Sequence, residues 1–194
     1  MSRDNILKKI KTNKPPSQPL PEIDIEKFRV TSDLLDDFIK NVEASAGKIF
    51  KVNNKEEIIS NIKNLFPDAK EIISFVDGVD IGTIDPKTIS SSKEIEHLEL
   101  TIINGQFGVA ENGSVWVSDK NFSRRVIPFI TAHLILVLNK ENIVENMHKA
   151  LQNLAGFDEG YGVFISGPSK TADIEQSLVI GAQGPLSLTI YLLD

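Results

Sequence analysis

Apolar residues recur along the chain at two periods, one helical and one extended. Ser2 to Thr12 places Ile6, Leu7 and Ile10 on one face of a short helix. Pro15, Pro16, Pro19 and Pro21 follow. Four of the nine prolines in so short a stretch predict an extended linker that stops the helix. Residues 1–22 are therefore expected to form an arm, either mobile or docked on a partner, and residues 23–194 the folded domain.

From Thr31 helix and strand alternate. Leu34, Leu35, Phe38 and Val42 keep helical spacing, with Gly47 as a stop. Lys48–Val52 reads as a strand. Asn54 to Glu57 has capping-box spacing and opens a helix with Ile58, Ile62 and Leu65 on one face, closed by Pro67. Glu71–Val76 is expected as a strand and Lys93–Ile103 as a helix. Phe107–Ala110 and Val115–Ser118 read as strands flanking Asn112-Gly113, a strong hairpin signal. His133–Leu138 is almost wholly apolar, as a strand buried on both faces should be. Helix Glu141–Leu154, strand Gly162–Ser166, helix Thr171–Ile180 and strand Leu188–Leu193 complete the pattern. This alternation predicts an α/β fold: three layers around a mostly parallel sheet, with an antiparallel component from the hairpin. Ligands in such folds gather at the carboxyl ends of strands. That draws attention to the loops Asp77–Pro86, Glu111–Ser114 and Gly167–Thr171.

The 194 residues are 41% apolar and 25% charged, enough for a real core and against bulk disorder. A net charge of −6 disfavours nucleic acid and anionic membrane as main partners. Cysteine is absent, which excludes disulfides, thiolate catalysis and a cysteine-ligated cluster held by these residues. No stretch is apolar enough to span a bilayer, and the N-terminus lacks the continuous apolar core of a signal peptide. The expected location is the cytoplasm, and no resident cofactor or metal is expected.

Three segments could carry chemistry. In Ile165-Ser-Gly-Pro-Ser-Lys-Thr-Ala-Asp-Ile-Glu175, Gly167 allows a tight turn and Pro168 sets its direction. Ser169 or Thr171 would cap a helix whose first N–H groups, helped by Lys170, hold an anion. The glycine that a P-loop needs before its lysine is missing, and Asp173 would compete with a phosphate. An ordinary capped junction explains the same residues. In Gly108-Val-Ala-Glu-Asn-Gly-Ser114, Glu111 is a carboxylate at a tight turn, suited to act as base or nucleophile; a solvated hairpin residue is the plainer reading. In Gly181-Ala-Gln-Gly-Pro185, Gln183 and Gly184 either present an amide to a site or simply connect helix to strand. His97, His133 and His148 lack metal-ligand spacing. Asp77, Asp80 and Asp85 could gather a divalent cation and Arg124-Arg125 could bind an anion or partner, but solvated surface is the plainer reading of each. No catalytic-serine elbow, dinucleotide fingerprint or zinc motif is present.

These three segments resemble the signatures of the lactate-utilisation (LUD) domain family, of the lactate-utilisation protein C type. Gly108–Ser114 resembles the family's first signature, Gly-Val/Ile-Ala-Glu-Thr-Gly-Thr, and Gly181–Pro185 its third, Gly-X-His-Gly-Pro. Ile165–Glu175 is similar throughout to the second signature and is the most specific of the three. Asn112 and Ser114 replace two usual threonines, and Gln183 replaces the usual histidine. The resemblance implies a fold like the coenzyme A transferase and ribose-phosphate isomerase group. It also implies a place in a system oxidising L-lactate to pyruvate with iron–sulfur partner subunits. Two functions stay open. One is an accessory subunit that binds partners or a small anionic ligand. The other is a transferase- or isomerase-like enzyme with Glu111 as nucleophile or base, because Ala110-Glu-Asn-Gly113 is similar to the Ser-Glu-Asn-Gly motif of coenzyme A transferases. Under either, Glu111, Asn112, Gly113 and Ser114 are expected to meet the Gly167–Thr171 turn in one site, with Lys170 beside Glu111.

Overall fold

The computed structural model describes residues 2–19, 21–22, 24–28, 33–158, 160–172 and 178–194. Helix α1 (Arg3–Thr12) is capped by the Ser2 hydroxyl and buries none of its residues. Asp33 caps α2 (Leu34–Ala44) by accepting from the Leu35 and Asp36 N–H groups, and Phe38 and Val42 form its buried face. Strand β1 (Lys48–Val52) leads to α3 (Lys55–Leu65). The Asn54 side chain accepts from the Glu57 N–H, and the Glu57 carboxylate accepts from the Asn53 N–H at 3.0 Å. That reciprocal cap holds the Glu57 carboxyl below its usual pKa.

The chain continues through β2 (Ile72–Ser74), β3 (Leu100–Asn104), β4 (Phe107–Val109), β5 (Ser114–Ser118), the short α4 (Ile127–Ile130), β6 (His133–Asn139) and β7 (Ile143–Val144). It ends with α5 (Met147–Asn153), β8 (Gly162–Ile165), β9 (Lys170–Ala172), β10 (Leu178–Ile180) and β11 (Ser187–Leu193). The central sheet has the order β1-β11-β6-β3-β2, parallel throughout. A second sheet, β7-β4-β5-β8, is mainly antiparallel, and β9 pairs with β10 as a separate antiparallel ribbon. The α/β fold with a mostly parallel central sheet is as expected.

Side-chain alternation assigns the faces. Leu134, Leu136 and Leu138 of β6, with Leu188, Ile190 and Leu192 of β11, point to one side, where Phe38, Val42, Val115 and Val117 cover them. Ile135, Val137 and Tyr191 point to the other, against Ile58 and Ile62 of α3. One covering layer is thus helical and the other is α2 together with the second sheet. The outer face of that sheet carries Phe107, Val109 and Trp116, which pack with Ala150, Met147 and Phe157. Gly108 points inward, because a Cβ there would lie 2.8 Å from Phe38 and 3.0 Å from Leu138.

Three expected helices differ. Lys93–Ile103 is a 3-10 turn at Ser92–Ile95 followed by β3. Leu100, Thr101, Ile102 and Ile103 are all buried, and a strand buried on both faces has no period to separate it from a helix. In Glu141–Leu154 only Met147–Asn153 is α-helical, after a 3-10 turn at Lys140–Asn142, because Asn146 caps there and β-branched Ile143 and Val144 pair beside β4. Thr171–Ile180 holds β9 and β10 at its two ends, with Thr171 opposite Val179; residues 173–177, Asp173 among them, lie outside the described residues. No helix among the described residues is long and apolar enough to cross a membrane.

His133 opens β6, with Nδ1 2.8 Å from Ser187 Oγ and its ring 4.8 Å from that of Phe66. Burial lowers its pKa below 6.5. The unfolded chain then binds this proton more readily, so the contribution is full above pH 6.5 and is lost as pH falls from there through the depressed folded value. His133→Gln should flatten the urea-unfolding midpoint across that window. The acid limb below pH 4.5, where Glu57, Glu94 and Glu99 with lowered pKa lose their charge, should stay.

Candidate functional site

Glu111 sits in the β4–β5 turn and is held from three directions. Its N–H donates to Glu145 O at 3.1 Å, and the Ala110 N–H donates to Val144 O at 2.9 Å. Asn41 Nδ2 of α2 donates to Ala110 O at 2.7 Å and Glu111 O at 3.2 Å. The carboxylate itself accepts from the Met147 N–H at 2.9 Å, at the first residue of α5. Glu111 therefore caps a helix that follows 36 positions later. A carboxylate suits that place, because the first N–H groups of a helix lack partners and carry partial positive charge.

The rest of the turn is built internally. Asn112 Oδ1 accepts from the Ser114 N–H at 3.0 Å and from the Ser114 hydroxyl at 2.7 Å, and Ser114 is buried. Gly113 has φ 65°, and a Cβ there would lie 2.5 Å from Val42 N of α2. Gly167 has φ 68°, and a Cβ there would lie 2.1 Å from Ser45 O at the end of the same helix. Ser166 Oγ joins the two turns, lying 3.1 Å from Asn112 O and 3.2 Å from Ser45 Oγ. Both signature glycines thus let a turn press against the carboxyl end of α2.

The turns touch, yet their polar groups face different spaces. Glu111 lines a recess of about 340 Å³ with Asp37, Asn41, Glu145 and His148. One Glu145 oxygen is buried there without a partner among the described residues. Gly167, Pro168, Ser169 and Lys170 instead line a cavity of about 290 Å³ with Gln183 and Gly184. The second and third signatures lock together: the Ser169 N–H donates to Pro185 O and the Gly181 N–H to Ser169 O, each at 2.9 Å. Thr171 follows in β9, so no described helix begins at this turn and the expected helix-start anion site has no helix behind it. Lys170 is exposed and does not neutralise Glu111, since the two line separate spaces and no ion pair joins them. No group of three or more His, Asp or Glu among the described residues is arranged to hold a metal.

The chemical contrast is clear. The recess beside Glu111 collects carboxylates, whereas Lys170, Gln183 and Phe129 line the other cavity. Glu111→Gln keeps an acceptor for the Met147 N–H and should cost under about 1 kcal/mol in urea unfolding. Glu111→Ala removes the acceptor and should cost about 1–2 kcal/mol. A third cavity, of about 570 Å³, opens at the carboxyl edge of the central sheet beside Lys55, Asn104 and Asn139. Its signal in the sequence is the asparagine closing each of the runs Leu100–Asn104 and His133–Asn139.

A crystal structure of a DUF162 family protein from Deinococcus radiodurans superposes with a TM-score of 0.66 at 15% identity, covering 83% of this chain and 96% of that one; it shares the fold. Lactate utilization protein C of Bacillus pumilus is 30% identical over 105 residues, covering 51% of this chain and 44% of the relative. The protein of that name from Shouchella clausii is 32% identical over 113 residues, covering 54% and 49%, and that from Macrococcus caseolyticus 24% over 177 residues, covering 85% and 73%. The chain spans about half the length of the first two. The LUD domain family model matches residues 89–193, from the approach to β3 through β11, with all three signature segments inside the match. The chain belongs to the LUD domain family.

Proposed function

We propose that this chain serves lactate utilisation as an accessory, binding subunit rather than as an enzyme acting alone. The names of its relatives support the process. The observation that carries the binding role is the setting of Glu111: one carboxylate oxygen accepts from the Met147 N–H as a helix cap, in a recess lined by further carboxylates and no lysine. An anionic substrate for group transfer would be repelled by these carboxylates. The cavity of Gly167, Pro168, Ser169, Lys170, Gln183 and Gly184 is the better binding element, with a cation that pairs with no carboxylate among the described residues beside an amide. It suits a small anion or an acidic group of an iron–sulfur partner subunit of a lactate-oxidising system. In Gln183 the usual family histidine gives way to a group that binds but does not titrate, which fits recognition better than proton transfer.

The test is growth of a strain lacking this gene on L-lactate as carbon source. The intact gene should restore growth, Glu111→Gln should restore it nearly as well, and Lys170→Glu should not. Failure of Glu111→Gln, with its fold intact by circular dichroism, would transfer support to the transferase- or isomerase-like enzyme. Normal growth of the deletion strain on L-lactate would remove the lactate role altogether.

A further inference from the structure

The carboxyl edge of the central sheet points to a second binding site, assigned by none of the signature motifs. Three adjacent parallel strands, β3, β6 and β11, end there at Asn104, Asn139 and Leu193. The cavity between them is also lined by Lys55, Gln106 and Asn142, and no carboxylate lines it. Loops at the carboxyl ends of parallel strands form the natural ligand crevice of such a sheet.

Lys55 is the central group. It is the first residue of α3 and half-buried. Its Nζ donates to Asp77 O at 2.6 Å, and no carboxylate among the described residues pairs with it. Its stem packs on Gly78, where a Cβ would lie 3.0 Å from Lys55 Cδ, so the side chain is held rather than free. The nearby Lys140 differs, being paired with Asp194 at 2.8 Å. A partly desolvated ammonium with two spare donors and no counter-charge favours an anion. Among the described residues the side chains of Asn104, Asn139 and Asn142 find no hydrogen-bond partner, while Gln106 is steadied by donating to Ser118 Oγ at 2.7 Å. Carboxamides offer donor and acceptor together, which matches a hydroxyl or carbonyl beside a carboxylate. Val137 and Leu193 supply a small apolar wall.

The geometry therefore points to a small 2-hydroxy- or 2-oxo-carboxylate as ligand, its carboxylate at Lys55 and its second oxygen among the asparagine amides. The choice of carboxylate rests on the lactate-utilisation reading; the site itself does not.

Calorimetric titration of the full chain with L-lactate, pyruvate, glycolate, propionate and inorganic phosphate tests it. Saturable binding of at least one 2-hydroxy- or 2-oxo-acid is expected, at least tenfold tighter than propionate or phosphate. Lys55→Met and Asn139→Asp should each weaken it tenfold or more, whereas Lys93→Gln, an exposed lysine elsewhere, should not. The Asn139 side chain has no partner among the described residues, so Asn139→Asp should keep the melting temperature and separates lost binding from lost folding. Absence of binding, equal binding of propionate or phosphate, or indifference to both variants overturns the site. Loss in Lys170→Gln with none in Lys55→Met overturns it too, by moving the ligand to the other cavity. Glycolate binding at Lys55 without L-lactate or pyruvate leaves the site standing and removes the lactate reading. Lactate-dependent growth with no binding does the reverse.

Discussion

Gly167→Ala and Gly113→Ala should each destabilise the protein by on the order of 4 kcal/mol, the sum of a left-handed alanine and a forced backbone contact. The added methyl would stand 2.1 Å from Ser45 O in the first case and 2.5 Å from Val42 N in the second. Neither neighbour is a flexible side-chain end; both are backbone of α2, so relief requires moving the helix away from the sheet it covers. The melting temperature should fall by roughly 10 °C for a chain of this size. Gly156 supplies the control. Its φ is 85°, but nothing lies within 4 Å of an added Cβ. Gly156→Ala should therefore show only the conformational cost, about 1–2 kcal/mol. Equal losses at all three positions would mean that the close approach to α2 is not what these signature glycines serve.

Phe38→Ala should cost about 4 kcal/mol in urea unfolding, because a fully buried ring is removed from the principal core. The same ring occupies the space that a side chain at position 108 would need. Gly108→Ala alone should therefore be destabilising, by about 1–3 kcal/mol of overpacking. Combined with Phe38→Ala it should cost much less, because the methyl enters the space left by the ring. A double-mutant cycle over four urea curves reads this coupling directly. Strict additivity would rule out Phe38 as the reason for glycine at 108. Both experiments concern the same joint, the contact of the β4–β5 sheet with α2, on which the position of Glu111 depends.

Much of this was legible in the residues. The 3.6-residue spacing of Phe38 and Val42, the Asn54–Glu57 cap, the apolar run of β6 and the Asn-Gly turn each report a local energetic preference, and each element forms as expected. The three signature segments also carry the resemblance to the LUD family, and all lie within residues 89–193 that its model matches. Their work as turns was legible too: Gly113 and Gly167 do adopt positive φ. Local patterns failed where a segment's state depends on its neighbours. Residues 100–103 are buried on both faces because β2 and β6 flank them and core lies above and below. Lys170–Ala172 is a strand because Leu178–Ile180 pairs with it.

The candidate site divides along the same line. The sequence by itself determined which residues could be chemical: a carboxylate at Glu111, a cation at Lys170, and an amide rather than an imidazole at Gln183. Only the tertiary structure decided their partners. It put the Met147 N–H, not Lys170, at the Glu111 carboxylate, and it brought Lys55, Asn104 and Asn139 to one sheet edge across 84 positions of chain. Short-range spacing encodes caps, turns and faces because those energies act within a few residues. Which loops share a cavity is set instead by strand order and by the packing of α2 and α3 on the two faces of the sheet, contacts between segments far apart in the chain.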